Sequence, residues 1–152
     1  MFNITRTTSD NPDFQKLVTE LDKDLAIRDG DEHAFYAQLN KTTGLNTVIV
    51  IYESNVAVGI GALREYEPDV MEVKRMYVLP EKRGFGIASV VLKALEDWAT
   101  ELGYKKCILE TGKKQPEAIA LYHKNNYTVI PNYGNYAGVD NSVCFEKIIN
   151  PV

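Results

Sequence analysis

The chain has 152 residues, 45% hydrophobic and 25% charged, with 17 Lys+Arg against 21 Asp+Glu for a formal net charge of −4. Those values fit one soluble domain over 1–152 and exclude a disordered chain, while the acidic balance argues against nucleic-acid partners, which need a basic footprint. No run approaches the ~18 apolar residues of a membrane span, no signal peptide opens the chain, and Cys107 and Cys144 have neither scaffold number nor metal-site spacing, so a cytoplasmic, metal-free protein is expected.

Phe2, Ile4 and Arg6 alternate with polar residues, as in a short first strand. Asn11-Pro12-Asp13 then supplies an N-cap, a first-turn proline and an acid. Phe14, Leu17, Val18, Leu21 and Leu25 follow at helical spacing up to Gly30, and Phe35 and Leu39 suggest a second short helix over Glu32–Leu39. Beyond it the period changes. Thr47–Tyr52 is β-branched and apolar, Glu53-Ser54-Asn55 reads as a hairpin turn, and Val56–Glu65 and Val70–Val78 are strands flanking a turn at Glu67-Pro68-Asp69. Strands joined this tightly must be antiparallel neighbours.

The second half alternates helix and strand. Ile87, Val91, Leu95, Trp98 and Leu102 form one face of a long helix, with Lys93, Glu96, Asp97 and Thr100 on the other and Gly103 as C-cap. Lys106–Glu110 is a strand, Pro116–Asn125 a helix followed by Asn126, a residue suited to a left-handed cap, and Tyr127–Ile130 and Ser142–Ile149 the last strands. The expected fold is α+β: a single mixed, mostly antiparallel sheet flanked by about four helices.

The stretch Met76–Ala88 carries the chemistry. A strand ends, a glycine turn follows and a long helix begins, so unpaired N–H groups at the positive end of a helix dipole stand beside residues without side chains. Such a turn can cradle a phosphate. It is not a Walker loop, since no Lys-Ser/Thr follows the second glycine, and Gly84-Phe85-Gly86 lacks the third glycine of a dinucleotide fingerprint, Ser89 standing there. Arg83-x-x-Gly86-x-Ala88 resembles the Arg/Gln-x-x-Gly-x-Gly/Ala signature of the GNAT superfamily of acyl-CoA N-acetyltransferases. Leu109–Gly112, Gln115–Tyr122 and Asn126-Tyr127 are similar to that family's fifth strand, fourth helix and following turn, and the element order agrees along nearly the whole chain. Relatives often carry Gly where this chain has Asn126, a residue that tolerates the same left-handed geometry.

The resemblance implies acetyl-CoA as co-substrate and an amine as acceptor, by direct attack in a ternary complex, with no metal. Its pyrophosphate would rest on Arg83, Gly84, Phe85, Gly86, Ile87 and Ala88. Its pantetheine arm would pair with Met76, Tyr77 and Val78, the Val78 N–H polarising the thioester carbonyl. Tyr122 falls at the family's helix tyrosine, which serves the leaving sulfur. Glu72, six residues before Val78, is the candidate base, or else a strand-face partner of Lys74. Phe35, Tyr36, Tyr133 and Tyr136 are candidates to line the acceptor site. A small-molecule or free amino-group acceptor is favoured. A histone-like peptide acceptor, a non-catalytic CoA-binding module and a homodimer remain open alternatives.

Overall fold

The computed structural model describes residues 2–29 and 44–150. In chain order these form β1 (Phe2–Thr7), α1 (Pro12–Asp29), β2 (Thr47–Glu53), β3 (Val56–Glu67), β4 (Val70–Val78), α2 (Ile87–Glu101), β5 (Lys106–Gly112), α3 (Pro116–Lys124), β6 (Thr128–Ile130) and β7 (Ser142–Ile148). The helix expected over Glu32–Leu39, and with it Phe35 and Tyr36, lies outside the described residues, so three α-helices are seen rather than about four.

The strands make one seven-stranded sheet in the order β1-β2-β3-β4-β5-β7-β6. Every pairing is antiparallel except β4 with β5, where the crossover helix α2 makes the strands parallel. Local chemistry sets the joints. The Asn11 side chain accepts the N–H groups of Asp13 and Phe14 at 2.9 and 3.0 Å, capping α1. Ser54 and Asn55 both take positive φ, 51° and 67°, as a two-residue hairpin of primed type requires. Asn126 closes the α3–β6 corner with φ 71°.

Helices cover both faces of the sheet, which explains the continuous apolar run of β2. Val48 and Val50 pack with Phe14, Leu17, Val18 and Leu21 of α1, and Ile49 and Ile51 with Val91, Leu92 and Leu95 of α2. Two helix-face expectations need correction. Glu96 does not point to solvent: it is buried, and its carboxylate accepts from Tyr127 Oη at 3.0 Å and Lys147 Nζ at 2.8 Å. Leu102 lies past the end of α2, 53% exposed, because the chain turns there toward Gly103 at φ 91°.

Candidate active site

The site is a wedge opened by β4. Its parallel pairing with β5 runs only from Val70↔Lys106 to Glu72↔Ile108. Beyond it, β4 carries an extra residue against β3: Lys74 faces Ala62, Tyr77 faces Ile60, and Arg75 within the irregularity takes φ 58°. A bulge of this kind bends and twists its strand, so β4 diverges while β5 stays with β7. The gap is a cleft of about 470 Å³.

One end of the cleft is the glycine turn. Gly84 and Gly86 take φ 86° and 82°, and no atom lies within 4 Å of a methyl built on either, so the turn is bare on its outer side. Gly86 is the N-cap of α2, with no side chain satisfying the first-turn N–H groups and no acid among them. Open donors, positive dipole and empty space fit a pyrophosphate. Arg83 folds back, its Nε donating to the Val78 carbonyl at 3.0 Å and its guanidinium 5.4 Å from the Tyr77 ring centroid. The N–H of Leu79 bonds the Val58 carbonyl on β3. Backbone groups alternate edges along a strand, so the Val78 N–H faces the wedge.

Met76, Tyr77, Val78, Arg83, Gly84, Gly86, Ile87 and Ala88 all line this cleft, as does Tyr122 from α3. Phe85 does not: its ring is 70% exposed outside. Tyr122 is buried, edge-on to Tyr127 and tilted on Phe145 at centroid distances of 5.8 and 5.7 Å. Burial, with a smaller contribution from the charge of Glu110, pushes its phenol well above the ordinary value.

Farther back along β4 the cleft is lined by Glu72 with Lys74, Arg75, Glu110 and Tyr136, while Asp24 of α1 lines it beside Tyr77. The buried Glu72 carboxylate accepts the Tyr133 hydroxyl at 2.6 Å on Oε2, and its Oε1 lies 3.7 Å from Lys74 Nζ. Both readings of Glu72 therefore meet at one residue, a cleft carboxylate that is also the partner of Lys74. Burial lowers the affinity of Lys74 for its proton, and Glu72 opposes that shift. Tyr136 reaches the cleft, its hydroxyl 3.5 Å from Lys74 Nζ, whereas Tyr133 stands behind Glu72 rather than in the lining. Arg75, a residue with no motif around it to single it out, is buried and paired with Asp22 of α1, and its Nε has no hydrogen-bond partner among the described residues. Lys82, paired with Glu53, and Lys124 both line the cleft, whereas Lys113 and Lys114 do not. No group of three or more metal-ligating side chains occurs among the described residues.

A mixed sheet splayed beside a glycine-turned helix N-terminus is a frame that an acyl-CoA N-acyltransferase also has. The family model described as the GNAT acetyltransferase family matches residues 10–127, and the chain belongs to that family. It is similar to the IAA acetyltransferase of Azospirillum brasilense, 34% identical over 140 residues, which are 87% of this chain and 88% of that protein. Among solved structures it resembles one from Klebsiella pneumoniae described as an acyl-CoA N-acyltransferase, at TM-score 0.82 and 29% identity over 98% of both chains. The fold also matches the PaiA N-acetyltransferase of Thermoplasma acidophilum, solved with coenzyme A, at TM-score 0.72 and 16% identity over 97% of this chain and 99% of that one. The protein is an acyl-CoA-dependent N-acetyltransferase.

Proposed function

We propose that the acceptor is a small primary amine that enters as a cation, at the Glu72 end of the cleft, and attacks directly in a ternary complex. The observation carrying this reading is the position of Glu72: a buried carboxylate in the same cleft as the wedge-facing edge of β4 and Tyr122. Acetyl-CoA supplies an acetyl group already activated as a thioester. Gly84, Gly86, Ile87 and Ala88 hold its phosphates through backbone donors, Phe85 contributing backbone alone; Arg83, its own N–H bonded to the Pro80 carbonyl, lines the turn, while the Met76 backbone and the Tyr77 side chain hold the arm. The Val78 N–H donates to the carbonyl oxygen where negative charge develops.

At a lysine-like pKa of ~10.4, only about one amine in 2,500 is neutral at pH 7, so deprotonation needs a dedicated acceptor. Glu72 takes that proton, directly or through water. Tyr122 serves the leaving sulfur as a hydrogen-bond donor. Burial makes full proton release from its phenol still harder, so donation with late transfer is the workable role. The carboxylates Glu72 and Glu110 line the cleft here, and a cationic amine can pair with them. Two free, buried cysteines agree with a reducing cytoplasm.

The test is a thiol-release screen of polyamines, amino acids, aminoglycosides and lysine-rich peptides at equal concentration. Small cations are expected to win. Peptides ahead of every small amine by more than tenfold in kcat/KM would replace this reading with a peptide acetyltransferase, and no thiol release with any amine would leave a CoA-binding module.

A further inference from the structure

We propose that Tyr133 is a positioning residue for Glu72: by engaging Oε2 from behind the cleft, it turns Oε1 toward the acceptor and makes Oε1 the oxygen that receives the proton. This rests on the proton-acceptor reading of Glu72.

The contact is direct, Tyr133 Oη donating to Glu72 Oε2 at 2.6 Å, and the platform beneath it is braced from several sides. The Tyr133 ring lies edge-on to Tyr66 of β3 and to Tyr136, with centroids 5.1 and 5.7 Å away. Gly134 follows at φ 53°, and a methyl built on it would lie 3.2 Å from the Tyr66 hydroxyl, so the β6–β7 connection fits closely over that ring. Asn132 pins the base of the loop, its Nδ2 donating to the carbonyls of Val139 and Ser142 at 3.0 and 3.1 Å. A buried carboxylate held by a braced phenol has one orientation, and orientation of the proton acceptor is worth rate.

Charge and proton chemistry agree with this division of the two oxygens. Burial and the neighbouring Glu72 charge push the Tyr133 phenol far above its ordinary value, so it stays a donor throughout the working range. It cannot compete with Glu72 for the amine's proton. The other groups around Glu72 are Lys74 and Arg75 on its own strand, Arg64 opposite it on β3, Glu110 on β5, Tyr136 on the loop and the Cys144 thiol on β7. Among the described residues, Tyr133 engages Oε2 and Lys74 stands at Oε1.

The experiment compares wild type with Tyr133→Phe, Tyr66→Phe and Glu72→Gln. The Glu72 side-chain carboxyl is followed by 13C NMR at one fixed pH without any substrate, Glu72→Gln identifying the signal. Tyr133→Phe deletes the bond to Oε2 and should shift that resonance. Tyr66→Phe removes a hydroxyl from the same aromatic cluster and should not move it. With the fastest amine of the screen, Tyr133→Phe should lower kcat roughly ten- to a hundredfold and leave KM for acetyl-CoA unchanged. An unmoved resonance or a wild-type kcat in Tyr133→Phe overturns the positioning role, as does an equal shift in Tyr66→Phe. A moved resonance with a wild-type rate in Glu72→Gln overturns instead the proton-acceptor reading on which the role rests.

Discussion

At Tyr122 the ring and the hydroxyl do separate jobs, and one substitution separates them. The ring fills core space between Tyr127 and Phe145, while its hydroxyl makes no hydrogen bond with the described residues. Tyr122→Phe should therefore leave thermal stability almost unchanged and lower kcat by ~10²–10⁴-fold, the usual worth of acid–base assistance. A near-wild-type rate on an amine whose chemical step is limiting would remove Tyr122 from the mechanism. The cysteines behave oppositely, with packing and no chemistry. Burial pushes the Cys107 thiol up to about 12 and Cys144 up to about 11, so neither holds appreciable thiolate at neutral pH. Iodoacetamide at pH 8 should leave both unmodified in the native protein and label both after unfolding. Rapid native labelling would contradict the burial of that thiol.

At the scale of elements, the closeness of α2 to the sheet depends on two residues without side chains. A methyl at Gly61 would lie 2.6 Å from Val91 Cγ1, 2.8 Å from Met76 Sδ and 2.9 Å from Leu95 Cδ1; one at Gly59 would lie 2.8 Å from Ile87 Cγ2. These glycines let α2 press onto β3, which sets where its N-terminus meets the end of β4. Gly61→Ala should destabilise by about 1–3 kcal/mol, the usual effect of overpacking. Because Met76 lines the cleft, KM for acetyl-CoA should rise too. Urea unfolding and a KM measurement check both, and unchanged stability would mean that the helix shifts at no cost. The hairpin turn, the Asn11 cap, the glycine turn and the alternating second half were legible in the sequence because each depends on local chemistry. The bulge of β4 was not. It places Arg75, a residue with no turn preference, at positive φ, and only tertiary pairing reveals it. The burial of Glu96 was hidden for the same reason: its partners Tyr127 and Lys147 come from elements distant in sequence. At the site, Glu72 and Tyr122 could be nominated from position, but that Tyr133 touches Glu72 depends on how the β6–β7 connection crosses the sheet, which no spacing encodes.

For the molecule as a whole, the cleft is lined by several elements at once: the end of β4, the start of α2, β5 and α3. A ligand that bridges them adds its binding free energy to the stability of the fold. At a hundred times its Kd, CoA contributes about 2.7 kcal/mol. For a chain of this size, ~1 kcal/mol moves Tm by about 2–4 °C, so CoA should raise Tm by roughly 5–10 °C. Gly86→Asp separates this linkage from intrinsic stability. The left-handed conformation at Gly86 strains any L side chain by about 1–2 kcal/mol, although the space beyond it is open. The unliganded variant should thus melt a few degrees below wild type and remain folded. Its carboxylate would stand among the donors proposed to hold the pyrophosphate, so repulsion and blocked access should abolish the rise in Tm. Calorimetric affinity for CoA should fall in parallel. A Gly86→Asp protein that still gains several degrees with CoA would show that the phosphates rest elsewhere, and the assignment of the glycine turn would fall with it.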